Sequence, residues 1–325
     1  TDIFPLYEDE LEVLFDLAAM RLCMSVCISS NRAVKANSEK HKEYLLITQK
    51  PALRALRRLK EINLSFLACF ARKAGGYKAH KNYQAVTTAL SEHKASALFD
   101  FDLISEPRVL FDNVAGAPGT EFINEGQKHS KWVCDYLDQN EARYGIGNYG
   151  ENRTSFIFEG FEGIGSPEPR TTHMALDFWL RKPEKIYAPL DGTVESISRN
   201  EGAFDYGVVL ILKHKLEDGP EFYTLYGHLS IESMDLLKAG QSIKAGDHIA
   251  TLGQVHENGG WTPHLHFQVI LDLLDYDNNF PGICPPSVWN VWQEICPDAN
   301  LVTKLIAESF EKPSISIEKM MVDRA

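Results

Sequence analysis

The feature that most constrains this chain is a change of hydrophobic periodicity along its length. From Glu8 to about Arg72, apolar residues recur every three or four positions, which is the spacing of one face of a helix. Beyond Asn148 the pattern becomes short β-branched or aromatic runs separated by Gly, Asp and Asn, which is typical of antiparallel strands. The sequence therefore predicts an α+β protein, with an N-terminal helical domain followed by an antiparallel β-sheet domain.

Several breaks in the pattern suggest where elements end. Polar residues 35–43 indicate a loop between helices, and Pro51 suits the first turn of the next helix. Gly75 and Gly76 then end the helical pattern. The clearest strands are predicted at Tyr206–His214, Phe222–Tyr226, His248–Leu252 and His264–Leu271.

These breaks predict four segments along the chain. They are a helical accessory domain, a connecting segment, the β domain and a tail, over residues 1–130, 131–164, 165–300 and 301–325. A length of 325 residues is ample for two domains of ordinary size.

The distribution of charge argues against a nucleic-acid partner. The chain has 33 Lys and Arg against 45 Asp and Glu, a net charge of −12. Residues 101–325 alone hold 18 basic and 34 acidic residues. Nucleic-acid binding depends on Lys and Arg that neutralise phosphates, so we expect no such partner for the β domain.

The N-terminal region carries no signal for export or membrane insertion. The chain soon reaches the acidic run Glu8 to Glu10 rather than the basic flank of a signal peptide. The longest early apolar stretch, Leu17 to Ile28, is interrupted by Arg21 and is too short to span a bilayer. We expect no membrane span and a cytoplasmic location, or a periplasmic or secreted one if a leader has been removed.

Three short histidine patterns in the β region suggest a shared site. In the first, His173 and Asp177 are four residues apart, so both project to one face of a strand. In the second, His264 and His266 share a face while the residue between them points into packing. In the third, His228 follows a glycine at the end of an aromatic strand. Imidazole nitrogens and carboxylate oxygens are good zinc ligands, so together the patterns favour a metal site.

With these motifs, residues 165–272 resemble the lysostaphin-type (LytM-like) zinc metalloendopeptidases, many of which cut peptidoglycan cross-bridges. The resemblance includes the runs 187–194, 208–214, 223–230, 240–247 and 263–269, and all the functional motifs occur in family order. It implies that the β domain is a peptidase domain that uses Zn²⁺, with a peptide or peptidoglycan as substrate.

Carried over residue by residue, the resemblance implies specific roles. His173, Asp177 and His266 would bind Zn²⁺, and His264 and His228 would flank the open coordination position. A neutral imidazole there can orient or deprotonate a water molecule, and a protonated one can stabilise the oxyanion. Either of the two histidines could take either role.

Residues 8–70 show a weaker resemblance to the closing helices of aminoglycoside-phosphotransferase-like proteins, notably in the run Leu14 to Leu22. The chain lacks the catalytic and nucleotide loops of those proteins, so phosphoryl transfer is not predicted.

The leading functional hypothesis is a zinc-dependent hydrolase of peptide or amide bonds with a helical accessory domain. Two alternatives differ in what the site does. One is a binding or regulatory module that keeps the peptidase fold without turnover. The other is an intracellular amidase that acts on a small metabolite. The oligomeric state is left open.

Overall fold

The computed structural model describes residues 6–155, 168–217 and 219–310. Backbone contacts divide the chain into two compact units, of which the first extends to Lys81 and the second begins at Asn82. Parts of all four predicted segments lie outside the described residues, namely 1–5 of the helical accessory domain, 156–164 of the connecting segment, 165–167 and 218 of the β domain, and 311–325 of the tail.

The first unit is helical, as the sequence predicted. Its helices are α1 (Glu8–Glu12), α2 (Leu14–Val34), α3 (Glu39–Leu46), α4 (Gln49–Glu61) and α5 (Leu64–Ala74). Pro51 lies in the first turn of α4, and α5 ends at the predicted glycine break, where Gly75 is the C-cap.

The predicted loop over residues 35–43 is shorter in the structure, because α3 already begins at Glu39. Ser38 is its N-cap and accepts a hydrogen bond from the backbone N–H of His41. This cap satisfies one of the free N–H groups of the first turn. The second half of the polar stretch, from Glu39 on, is therefore helical and not a loop.

The second unit contains the strands. They are β1 (Arg108–Leu110), β2 (Tyr144–Gly147), β3 (Thr172–His173), β4 (Leu176–Trp179), β5 (Lys185–Tyr187), β6 (Gly192–Asn200), β7 (Gly207–Lys215), β8 (Glu221–Leu229), β9 (Ser242–Ile243), β10 (His248–Thr251), β11 (His264–Ile270) and β12 (Ile283–Cys284). Its helices are α6 (Tyr83–Glu92), α7 (Gly126–Gln139), α8 (Trp289–Trp292) and α9 (Asn300–Thr303). The four strands predicted from the sequence correspond to β7, β8, β10 and β11, with bounds that shift by up to three residues.

Eight strands form one sheet in the order β1-β2-β4-β11-β8-β7-β6-β9. Two small pairs stand beside it, β5 with β10 and β3 with β12. All the described pairings are antiparallel except that of β1 with β2. The chain between those two strands carries α7, and a crossover of this length is what parallel neighbours require.

Residues 82–155 belong with the sheet, whereas the prediction placed 82–130 with the helices and 131–164 in a connecting segment. The apolar face of α6 buries Val86 and Leu90 in the same core as the sheet. Strand β2 pairs with β4 inside the sheet. Both interactions join residues distant in sequence, which is why local patterns do not show them.

Among the described residues, no helix combines the length and hydrophobicity needed to cross a bilayer.

Candidate metal centre

The pairing of β11 with β4 brings two of the histidine patterns together. The strands are antiparallel, with His266 opposite Asp177 and His264 opposite Trp179. Leu265 points to the other face and is fully buried in the core, as the alternation of side chains requires. The sheet register therefore places a carboxylate beside one imidazole and an indole beside the other.

The remaining two histidines reach the same place from other elements. His173 lies in β3, and its ring contacts that of His266 at a centroid distance of 5.1 Å. His228 is the last residue but one of β8 and follows Gly227, which is opposite His266. Its backbone is left-handed, with φ of 64°. The ring of His228 lies 4.1 Å from that of His264. The structure thus gathers all five residues singled out in the sequence.

Three ligand atoms form a nearly equilateral triangle. Nε2 of His173 lies 3.2 Å from Nδ1 of His266 and 3.3 Å from Oδ1 of Asp177. The third side, from His266 Nδ1 to Asp177 Oδ1, is 3.2 Å. Zinc bonds of 2.0–2.1 Å in a tetrahedron separate neighbouring ligand atoms by about 3.3 Å. The triangle therefore fits a tetrahedral zinc ion with one position free.

The hydrogen bonds on the far side of each ring direct the lone pairs of the neutral rings into this triangle. Nδ1 of His173 faces the carbonyl oxygen of Asn148 at 3.0 Å, so it must donate and Nε2 keeps its lone pair. Nε2 of His266 donates to Oε1 of Gln268 at 3.0 Å, which leaves the lone pair on Nδ1. Oδ1 of Asp177 finds no hydrogen-bond donor among the described residues. Three acceptors that face one another in a buried site call for a cation.

The protonation of these residues suits metal binding. Burial lowers the pKa of His173, and the nearby Arg153 lowers it further. Burial alone would raise the pKa of Asp177, but the buried guanidinium of Arg153 holds that pKa well below its usual value. The imidazole is therefore neutral and the carboxyl ionised near neutral pH, as metal ligands must be.

A hydrogen-bond network of largely buried side chains holds Oδ2, the second carboxylate oxygen of Asp177. Arg153 donates from Nη1 to Oδ2 of Asp177 at 2.7 Å and from Nε to Oε2 of Glu151 at 3.0 Å. The carboxylate of Glu151 also accepts from the backbone N–H of Asn113 at 2.8 Å and from its side-chain amide at 3.2 Å. The two oxygens of Asp177 thus face different partners.

Glycines occupy the neighbouring strand positions on both sides of the Asp177 and His266 pair. Gly147 on β2 is opposite Asp177, and a Cβ there would lie 2.5 Å from a guanidinium nitrogen of Arg153. Gly227 on β8 is opposite His266, and a Cβ there would lie 2.6 Å from the ring of Tyr206. Each missing side chain makes room for a larger one that packs against the site.

His264 and His228 form a second pair with one free nitrogen each. Nδ1 of His264 donates to the carbonyl oxygen of Thr262 at 2.8 Å, and Nδ1 of His228 donates to that of Asn258 at 3.1 Å. The lone pair of each neutral ring is therefore on Nε2. Burial lowers the pKa of His264 to about 4 and that of His228 well below its usual value. The indole of Trp179 stacks on His264 at 4.0 Å.

Sequence reasoning missed the residues that orient these groups. Gln268 could have been found, because it lies two positions after His266 on the same strand face. Asn148 and Arg153 gave no local signal, since contacts between distant segments bring them to the site. Asn148 follows β2, which pairs with β4, and the backbone N–H of Arg153 donates to the carbonyl of Thr171.

Comparison with known proteins decides the family of this part of the chain. The sequence model of peptidase family M23 matches residues 171–277. Residues 171–277 form an M23 peptidase domain. The match includes all five histidine and aspartate residues of the centre, and it confirms the lysostaphin-type resemblance predicted from the sequence. The phosphotransferase-like resemblance of residues 8–70 stays a prediction.

Individual relatives resemble the M23 domain and its surroundings. An uncharacterized metalloprotease of Haemophilus influenzae is 32% identical over 155 residues, which cover 48% of this chain and 28% of that protein. A zinc-containing peptidase of Vibrio cholerae is 33% identical, covering 30% of this chain and 27% of that one, with a TM-score of 0.25. The catalytic domain of lysostaphin from Staphylococcus simulans is 18% identical, covering 50% and 96%, with a TM-score of 0.28. The chain thus spans less than a third of the length of the first two.

The cofactor of the M23 domain is Zn²⁺, as the sequence predicted. The ligand atoms of His173, Asp177 and His266 lie within 4.8 Å of one another, and all three residues are buried. Their nitrogen and oxygen donors are those of catalytic zinc sites, which use three protein ligands and leave one position open. The domain is that of a zinc-dependent peptidase.

Proposed function

We propose that the protein is a zinc-dependent endopeptidase in which His173, Asp177 and His266 bind the metal. The observation that carries the proposal is the buried triangle of two imidazole nitrogens and one carboxylate oxygen, 3.2–3.3 Å apart. Such an arrangement is electrostatically unfavourable without a cation and matches the ligand spacing of tetrahedral zinc.

His264 and His228 supply the proton transfers. When bound, Zn²⁺ lowers the pKa of a water molecule and polarises a carbonyl oxygen. Because Nδ1 of each ring is held by a backbone carbonyl, only Nε2 can exchange protons with the reactants. One Nε2 accepts the proton of the attacking water and passes it to the amine nitrogen that leaves as the peptide bond breaks. The other ring, when it has taken up a proton from solvent, donates to the carbonyl oxygen as that oxygen becomes an anion. Stacking on Trp179 fixes the plane of the His264 ring.

For the substrate we propose a peptide, with peptidoglycan cross-links as the first class to test. The resemblance to lysostaphin-type enzymes supports this choice. The chemistry at the site requires only a carbonyl of a peptide or amide bond.

The test combines metal analysis with a substrate panel. We expect one zinc per chain, and we expect His173→Ala and His266→Ala to lose both zinc and hydrolysis. His264→Ala should keep the zinc and lose about 10²- to 10⁴-fold in rate, the usual contribution of a general acid or base. His256→Ala is a matched control, because His256 is an exposed loop residue of the same domain.

The substrates are cross-linked peptidoglycan, glycine-rich peptides and small amide metabolites, each with and without a chelator. Zinc-dependent release of new amino groups from the first two supports an endopeptidase. Cleavage of the small amides alone would identify an amidase instead. Zinc-loaded protein that binds muropeptides but cleaves nothing would contradict the enzymatic proposal.

A further inference from the structure

The two oxygens of the Asp177 carboxylate have different surroundings. Oδ1 faces the two imidazole nitrogens, and Oδ2 accepts a hydrogen bond from Arg153. We propose that Arg153, held in turn by Glu151, is a positioning residue that restricts Asp177 to binding zinc through Oδ1 alone. The inference rests on the proposed function, because it takes Asp177 to be a zinc ligand.

The geometry of the guanidinium group suits this role. Arg153 is buried, and it bridges two carboxylates that are also largely buried. A planar guanidinium can donate to two partners in fixed directions, which an ammonium group cannot do. Asn113 donates twice to Glu151, from its backbone N–H and from its side-chain amide, so the anchor of the arginine is itself fixed.

The same stretch of backbone also holds a second ligand residue. The backbone N–H of His173 donates to the carbonyl of Glu151 at 2.9 Å, and Gly150 donates to the carbonyl of His173 at 2.8 Å. The side chain of His173 donates to the carbonyl of Asn148. Residues 148–153 therefore contact two of the three ligand residues, although they lie before the M23 match at 171–277.

The orientation of Asp177 matters because a catalytic zinc site must keep one coordination position for water. While Oδ2 is bonded to Arg153, it is unavailable as a fourth ligand. Without the arginine, Oδ2 would be free to compete for that position, and Glu151 would keep a buried charge without its cation. Partners that orient metal ligands typically contribute 10- to 100-fold to metal affinity.

The test measures zinc affinity by competition with a chromogenic chelator, and coordination by the visible spectrum of the Co²⁺-substituted protein. Arg153→Met should weaken zinc binding about 10- to 100-fold. It should also lower the visible cobalt absorption, because tetrahedral Co²⁺ absorbs more strongly than five-coordinate Co²⁺. Arg153→Lys keeps the charge but bonds one carboxylate only, so it should restore part of the affinity. Glu151→Gln should weaken binding less than Arg153→Met.

Arg199→Met is the matched control, since Arg199 pairs with Glu201 at the surface and should leave both readouts unchanged. Unchanged zinc affinity and cobalt spectrum in folded Arg153→Met would overturn the proposal. If that variant does not fold, unchanged values in both Arg153→Lys and Glu151→Gln would overturn it. Asp177→Ala separates the two proposals: if it keeps full zinc affinity, the ligand assignment itself fails.

Discussion

The two compact units differ in how many of their large apolar side chains are exposed. Thirteen of the nineteen exposed large hydrophobic residues in the described part of the chain lie in the helical unit. Leu17, Met20 and Met24 on α2 are each about half exposed. In the sheet unit one large core cluster extends from Val86 to Leu305. Among the described residues, the helical unit therefore leaves more of its large apolar side chains exposed than the sheet unit does.

The largest expected effect contrasts two leucines, one from each unit. Leu212→Ala removes a fully buried side chain from the sheet core and should cost about 2–5 kcal/mol. Leu17→Ala removes a half-exposed side chain and should change the free energy of unfolding by no more than about 0.5 kcal/mol.

Denaturant unfolding measures both variants. All five tryptophans lie after residue 81, so their fluorescence reports the sheet unit, and far-UV circular dichroism reports the helices. A loss for Leu17→Ala as large as that for Leu212→Ala would show that Leu17 is as closely packed as Leu212.

A smaller effect compares two glycines with a left-handed backbone. Gly76 follows α5, the last helix of the helical unit, with φ of 92°, and a Cβ there would meet nothing within 4 Å. Gly207 begins β7 with φ of 64°, and a Cβ there would lie 2.6 Å from the Cα of Asn258. Gly76→Ala should cost about 1–2 kcal/mol through its backbone alone. Gly207→Ala should cost about 1–3 kcal/mol more, because the neighbouring backbone must also move. Equal shifts of the melting temperature would contradict this difference.

The smallest effect near neutral pH concerns a buried histidine of the sheet unit. Nδ1 of His214 faces the carbonyl of Asp191 at 2.7 Å, and Nε2 bonds the hydroxyl of Thr224 at 2.7 Å. Burial lowers its pKa to about 4. The unfolded chain, with a pKa near 6.5, therefore binds the proton more readily. The contribution of His214 is complete above about pH 6.5 and is lost as the pH falls toward 4.

Over that range we expect His214→Gln to flatten the pH dependence of the unfolding free energy by up to about 1.4 kcal/mol per pH unit. Leu212→Ala is the control, because it should lower stability at every pH without altering the slope. An unchanged slope in His214→Gln would show that folding does not lower the pKa of His214, and would contradict the prediction.

The local part of the metal centre could be read from the sequence, and the non-local part could not. The spacing of His264 with His266 follows directly from the alternation of side chains along β11. His173 and Asp177 also come together, but they lie on β3 and β4, which belong to different sheets, so the prediction that both project from one face of a single strand is wrong. Arg153 lies in a stretch that reads as a connection. It reaches Asp177 because Asn152 forms a β-bridge with Thr172 and the backbone N–H of Arg153 donates to the carbonyl of Thr171, and no local pattern encodes that register.

The fold divides in the same way. Helices α2, α4 and α5 follow the spacing of their own apolar residues, and β7, β8 and β11 follow their β-branched and aromatic runs. The attachment of residues 82–155 to the sheet depends on contacts between distant segments. Local propensity therefore determines where helices and strands form, and tertiary packing determines to which compact unit each of them belongs.

The place of β2 beside β4 has a practical consequence for anyone who excises the peptidase. A recombinant piece cut to the family boundary at residue 171 would leave the outer backbone groups of β4 without the strand that pairs with them. An uncovered strand of this kind is a template for pairing with other chains and so for aggregation. A soluble and metal-competent fragment should begin upstream of β1, at about residue 82, where the compact unit itself begins.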